Sequence, residues 1–492
     1  MTDLLLAIDQ GTTGTTVALF DVSCNMIAKV NTEFRQIFPK PGWVEHDLDD
    51  IWNSVEQSIQ SCLETSRMSP KDIKGIGITN QRETTGIWNR KTAKPVHNAI
   101  VWQCRRTAPF CLELKESGAE EIFRNKTGLV LDPYFSGTKV RWLLDNVQGL
   151  RKQADSGELC FGTMDTFLVY KLTAGKVHIT DVSNASRTLM MDLDTLDWDN
   201  QLLDLLGVPD SILPQIRSSS EIYGYTSGLE QLPDGIPICG IAGDQQAALF
   251  GQACFDPGSV KCTYGTGAFV LMNTGDRKVL SERGLLTTVA WKLGHETSYA
   301  LEGSVFIAGA AVQWLRDGLG IIDSSQDVET LASSVDSSQG VVFVPALAGL
   351  GAPHWNPHAR GIISGITRGT TKAHLARATL EGIAFQVRDV VEAMRQDSNE
   401  SLSFFRVDGG AAQNDLLLQF QSDILSVELH RPKVIETTAA GAAMLAGLAV
   451  GVWKDLDDIR KNWSMDKRFQ PEADADTVQQ HLDRWRSAIQ KA

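Results

Sequence analysis

Leu4-Leu5-Leu6-Ala7-Ile8-Asp9-Gln10-Gly11-Thr12-Thr13-Gly14-Thr15-Thr16-Val17-Ala18-Leu19-Phe20-Asp21 reads as an apolar strand, a Gly/Thr turn and a second apolar strand. The turn between Leu4–Asp9 and Thr16–Asp21 is too short for a crossover, so the segment predicts a β-hairpin. Its tip carries hydroxyls and backbone amides that glycine leaves uncovered. The device recurs at Ser259 to Thr263, Tyr264-Gly265-Thr266-Gly267 and Ala268 to Asn273. One such hairpin near the start of each half implies a duplicated fold with a ligand between the copies.

Strands and amphipathic helices alternate around these hairpins, which gives an α/β class. Asp49 to Glu64 has helical spacing through Ile51, Trp52, Val55, Ile59 and Cys62. A helix is expected over Tyr134 to Leu144, after Pro133, and a long one over Lys372 to Met394 with Thr370-Thr371 as cap. Gly361 to Ile366 reads as a short strand. Gly and Pro257 cluster between Gly251 and Gly258, which sets the expected units at 1–253 and 254–492. No low-complexity linker separates them, as hinged lobes closing on a cleft require.

A chain of 492 residues is too long for one core, and two units of roughly 200 to 250 residues are the natural division. The 46 Lys plus Arg against 60 Asp plus Glu give a net charge of −14, so the chain lacks the basic footprint of nucleic-acid binding. Its eight cysteines are scattered without a C-x-x-C pair, the usage of reduced thiols in a cytoplasmic protein. Met1 leads almost directly into the first strand, with no export signal in front of it. The uncharged stretch Thr437 to Trp453, with Gly447-x-x-x-Gly451, invites a membrane reading. At about 25 Å as a helix it falls short of a hydrocarbon core of roughly 30 Å, so a buried soluble helix is expected and no membrane insertion.

Several strand ends carry chemistry. Asp244, in Ile241-Ala242-Gly243-Asp244-Gln245-Gln246, stands at the mouth of an apolar run, where a carboxylate is well placed as a general base. Asn80-Gln81-Arg82-Glu83 ends another; Arg82 can donate to one hydroxyl of a small polyol while Glu83 accepts from others, although such a pair is more often a surface ion pair. Asp9 to Thr16 resembles a phosphate cradle, through Gly11, Gly14, Thr12 and Thr13, but lacks the Gly-Lys-Ser/Thr ending of a P-loop. Asp9 could hold Mg²⁺ through water. Asp408-Gly409-Gly410-Ala411-Ala412-Gln413-Asn414 lets the chain pass close to a flat or phosphorylated ligand, with Asn414 reading an edge; a plain strand-to-helix turn is the alternative. His354 and His358 have helical ligand spacing, but Pro357 and the lack of a third ligand argue against a metal site.

Together with Pro41 to His46, Asn98 to Arg106, Pro133 to Lys139, Asn184 to Thr188, Leu301-Glu302-Gly303 and Gly349 to Pro353, these segments resemble the FGGY carbohydrate kinase family over nearly the whole chain. The pairing of Asn80 to Thr85 with Gly243 to Gln246 resembles its glycerol-phosphorylating branch. The resemblance implies two ribonuclease-H-like lobes of the actin and hexokinase type, with ATP in the cleft. It implies that Arg82, Glu83, Tyr134, Asp244 and Gln245 hold glycerol, with Trp102 and Phe269 against its carbon edge. Thr12, Thr13, Gly14, Thr266, Gly309, Gln313, Gly410 and Asn414 would surround ATP, with Asp9 and Asp244 on Mg²⁺. Asp244 would be the catalytic base. A cytoplasmic homodimer or homotetramer is the usual assembly.

Two departures stand out. Thr16 occupies a position where many members of that branch carry an arginine near the phosphates, so altered nucleotide affinity is expected. The loop Leu229 to Ile236 lacks the Gly-Thr-Arg of members regulated by fructose bisphosphate, and carries no histidine for phosphorylation. A kinase for another polyol and a non-catalytic ATP sensor remain as alternatives; the carboxylates of Asp9 and Asp244 favour catalysis.

Overall fold

The computed structural model describes residues 3–492. Its first sheet is built from β1 (Leu4–Gln10), β2 (Gly14–Asp21), β3 (Met26–Glu33), β4 (Ile73–Asn80), β5 (Ser220–Tyr225) and β6 (Pro237–Gly243), in the order β5-β6-β4-β1-β2-β3. β1 pairs antiparallel with β2 and β2 with β3, whereas β1–β4 and β4–β6 are parallel. The second sheet uses β7 (Val260–Tyr264), β8 (Ala268–Gly275), β9 (Leu286–Leu293), β10 (Glu296–Val305), β11 (Phe405–Asp408), β12 (Leu429–Pro432) and β13 (Met465–Phe469), in the order β9-β10-β8-β7-β11-β12-β13. The series β10-β8-β7-β11-β12 repeats the series β3-β2-β1-β4-β6 strand for strand and sense for sense. Each copy begins with the Gly/Thr hairpin, so the duplication expected from the two turns is the architecture observed.

Burial explains the strands. Leu4 to Ile8 are covered on both sides, as a central strand flanked by helices demands, while β3 alternates and is largely exposed, as an edge strand does. One face of the first sheet (Leu4, Leu6, Ile8) packs on α1 (Leu48–Ser66), through Ile51, Trp52, Val55 and Ile59. Asp47 caps that helix by accepting the Asp49 amide at 2.9 Å. The other face (Leu5, Ala7) shares an apolar cluster with α2 (Asp244–Gly251). In the second half, α3 (Gly309–Asp317), α4 (Lys372–Ser398) and α5 (Asp415–Leu425) cover the sheet, α4 starting after Thr371 as its sequence indicated.

α6 (Thr437–Ala449), the stretch that invited a membrane reading, is buried against the first sheet. Close approach requires its glycine: a Cβ on Gly441 would lie 1.9 Å from the Ala247 carbonyl oxygen, and one on Gly77 of β4 would lie 2.1 Å from that of Ala442. Among the described residues no helix is long and apolar enough to cross a membrane. All eight cysteines are buried and unpaired. The helix expected from Tyr134 begins instead at Ser136, because the Tyr134 amide donates to Asp132 Oδ1 at 2.9 Å and the chain turns there before winding.

Candidate active site

Three parallel strand ends converge. β1 ends in Asp9-Gln10, β4 runs into Gln81-Arg82-Glu83, and β6 runs into Asp244, the first residue of α2. A third of the Asp244 side chain is exposed, and Arg82 Nε lies 3.0 Å from its Oδ1. The turn needs glycine at 243, because a Cβ there would lie 2.7 Å from Arg82 Cγ and Cδ.

Arg82 and Glu83 are not the surface ion pair that adjacency alone suggests: both are buried, their charged atoms stand 3.9 Å apart as a loose ion pair, and each holds a nearer partner. Arg82 grips Glu302 of β10 with both terminal nitrogens, one contact at 3.1 Å, and Nη1 also donates to Gln246 Oε1 at 3.3 Å. Glu83, in the left-handed region at φ 59°, accepts from Arg187 Nε at 2.7 Å. Arg187 Nη2 donates to Glu302 Oε1 at 2.9 Å, closing a buried ring of two arginines and two glutamates. Sequence reasoning gave roles to neither Arg187 nor Glu302, although both fall in matched segments; nothing in their local pattern distinguishes a buried ion from a surface one. Burial opposes the charge on Glu302, but Arg187 and Arg82 outweigh it and hold the pKa down to about 2. Glu83 is shifted upward, because burial outweighs Arg187 and Arg82 there. Lys139, buried behind the ring and donating to Phe135 O at 3.1 Å, is lowered to about 8 by burial.

Aromatic residues line one side. Tyr134 OH lies 3.5 Å from Arg82 Nη2, and its ring meets Trp102 edge-on at 5.5 Å. Trp102 Nε1 donates to Thr12 Oγ1 at 2.9 Å, tying this wall to the first hairpin tip. Gln245 follows Asp244 and is held by Lys261. Phe269, half-buried on β8, lies opposite Thr263 and Ser304 in the second sheet.

A cavity of about 590 Å³ opens in the second half, and Thr266, Gly309, Gln313, Gly410 and Asn414 all line it. Gly309 contributes clearance rather than a donor: its amide is taken by Gly265 O at 2.9 Å, and a Cβ would lie 2.6 Å from that oxygen. Asn414 spends its Oδ1 on the Leu417 amide at 2.8 Å as the cap of α5. Nothing lies within 4 Å of where a Cβ on Gly410 would stand, so that side is open. Thr12 and Thr13 stand at the other hairpin tip. Gly14 is already inside β2 opposite Glu33, where a Cβ would lie 2.9 Å from Thr32 O, so strand packing by itself requires a glycine here. Thr16 Oγ1 accepts from Asn31 Nδ2 at 2.9 Å and brings no charge.

Asp9 is raised to about 8, first by desolvation and then by Asp244 and Glu436 facing it. A carboxyl under like-charge pressure suits a divalent cation. Among the described residues no three of His, Cys, Asp and Glu converge to hold an ion directly. His354 Nε2 donates to Asp389 Oδ2 at 3.1 Å and belongs to no such group.

Two family models match, the N-terminal domain of the FGGY family of carbohydrate kinases over residues 4–251 and its C-terminal domain over residues 260–450. The chain belongs to the FGGY family of carbohydrate kinases. This FGGY kinase is 58% identical over 490 residues to the glycerol kinase of Myxococcus xanthus, covering 99% of each chain. It is 56% identical to glycerol kinase 2 of Thermotoga maritima, covering 99% of this chain and 98% of that one. Its structure resembles that of Plasmodium falciparum glycerol kinase with ADP, at TM-score 0.94 and 38% identity, covering 100% and 98%. The gluconate kinase of Lactobacillus acidophilus shares the fold, at TM-score 0.89 and 23% identity over 99% of this chain and 97% of that one.

Proposed function

We propose that this FGGY kinase transfers the γ-phosphoryl group of ATP to a terminal hydroxyl of glycerol, with the acceptor and the base supplied by the half 1–253 and the nucleotide held mainly by the half 254–492. The observation that carries the proposal is Asp244: a partly exposed carboxylate at a strand end, oriented by Arg82 Nε at 3.0 Å, beside a ring of buried polar groups and an aromatic wall. The relatives that match over their whole length are named glycerol kinase, which favours glycerol among polyols.

Glycerol lies against Trp102, Tyr134 and Phe269 with its hydroxyls toward Arg82, Glu83, Asp244 and Gln245. Asp244 takes the proton from the attacking hydroxyl as the oxygen bonds to the γ-phosphorus and the bond to ADP breaks. Phosphoryl transfer needs little covalent help, so positioning and charge stabilisation supply most of the rate. Thr12, Thr13 and Thr266 offer hydroxyls to the phosphates, and the cavity bearing Gly309, Gln313, Gly410 and Asn414 takes the nucleoside. Asp9 and Asp244 would hold Mg²⁺ through water, and the bound ion neutralises phosphate charge. Closure of the halves excludes water, which would otherwise compete as acceptor. A homodimer or homotetramer in the cytoplasm is the proposed setting.

Asp244→Asn tests the assignment of the base. With MgATP and glycerol, kcat should fall by about 10²- to 10⁴-fold, the usual worth of a general base, while KM for glycerol changes little. A variant with near-normal kcat would remove Asp244 from the chemistry.

A further inference from the structure

Lys261 is a buried charge that phosphoryl transfer, as described, leaves unused. It stands on β7 and is fully buried. Its Nζ donates to Gln245 Oε1 and, at 3.0 Å, to Thr263 Oγ1. Asp408 and Asp244 face it as counter-charges, with Arg82 as a like charge. Burial pushes its pKa below the usual lysine value, which those carboxylates only partly offset. An ammonium is costly in such a place unless its donors are used.

Lysine has donors and no acceptor, so it is the oxygen of the Gln245 amide that must face it. A side-chain amide with no such neighbour can present either end. Here the choice is made by Lys261, and the NH2 is turned away from it. Among the described residues no acceptor takes Gln245 Nε2, and the residue just before it on the chain is Asp244, the base. The contact also crosses between the halves. Gln245 belongs to α2 of the first, while β7 of the second continues into Tyr264-Gly265-Thr266, which line the 590 Å³ cavity.

We propose that Lys261 is a positioning residue for the acceptor site: by holding Gln245 Oε1 it turns the Gln245 NH2 toward the alcohol, so that Gln245 donates to one hydroxyl oxygen while Asp244 accepts from another. It rests on the glycerol kinase proposal above. Because the lysine comes from the second half, the acceptor site is complete only when the halves stand as they do here.

Steady-state kinetics on the full chain with MgATP and glycerol test it, using Lys261→Met, Lys261→Arg, Gln245→Ala, Gln245→Glu and the Lys261→Met/Gln245→Ala double variant. Lys261→Met should raise KM for glycerol about tenfold, the scale of one misdirected buried hydrogen bond, with KM for ATP within about twofold. Lys261→Arg should restore most of it. On the Gln245→Ala background, Lys261→Met should add nothing to KM for glycerol, because its target is gone. A full further loss there, or a parallel rise in both KM values, would overturn the positioning role. If Lys261→Met fails to fold, Gln245→Glu decides: it keeps an oxygen for Lys261 but has no N–H, so KM for glycerol should rise about tenfold. An unchanged KM would overturn the inference. The unaltered chain, run in the same series, separates the two claims: no turnover of glycerol there defeats the kinase proposal itself, whereas normal turnover with unmoved variants defeats only the role of Lys261.

Discussion

At the residue scale, the acceptor region is held by ions that are short of water. Arg82 was expected from the sequence to matter mainly for acceptor affinity. With its guanidinium shared among Glu302, Asp244 and Gln246, its removal also leaves a buried glutamate short of a partner. Arg82→Gln should therefore cost about 3–5 kcal/mol of stability as well as raising KM for the acceptor, which urea unfolding beside kinetics would separate. Unfolding free energy within a few tenths of the parent value would show the ring to be idle. Asp9 gives a pH signature. Its folded pKa of about 8 stands above the ordinary 3.8, so the folded chain keeps a proton that the unfolded chain has released. On this account its contribution is fully present below pH 3.8 and is lost as pH rises to about 8. In metal-free buffer, Asp9→Asn should flatten the fall of melting temperature across that window. A parallel curve for parent and variant would place Asp9 at an ordinary pKa. Asp9, Arg82 and Asp244 were legible because strand ends followed by polar residues announce a site. Arg187, Glu302 and Lys261 were not, because a charge inside an ordinary-looking segment gives no local sign of the partner that will bury it.

At the element scale, the two hairpins, α1 and α4 could be read directly, since their periodicity and turn residues agree with their tertiary setting. α6 could be read as a buried helix but not placed: it follows the boundary near 253 in sequence, yet lies on the first sheet. Its position depends on long-range packing of glycine on backbone, which composition hints at and spacing does not locate. Gly441→Ala isolates that contact. Helix propensity alone would reward the change by about 1 kcal/mol. The clash with the Ala247 carbonyl at 1.9 Å should dominate, giving a net loss of about 1–3 kcal/mol or more by thermal or urea unfolding. A stabilised variant would mean that α6 does not approach α2 so closely.

At the scale of the whole molecule, a duplicated β-sheet fold carries Asp244 in one half and a cavity of about 590 Å³ in the other. Glu302 with Arg82 and Arg187, and Lys261 with Gln245, join the halves at the site itself. The duplication followed from the repeated hairpin and the kind of lobe from the family resemblance, whereas these cross-cleft contacts needed the three-dimensional arrangement. Phosphoryl transfer to glycerol is tested most directly by ADP release with MgATP and glycerol, xylulose, erythritol or no added acceptor. A glycerol kinase should give rapid turnover with glycerol and a rate near background with the others, even with Thr16 in place of an arginine. Preference for another polyol, or no acceptor-dependent ADP release at all, would contradict it.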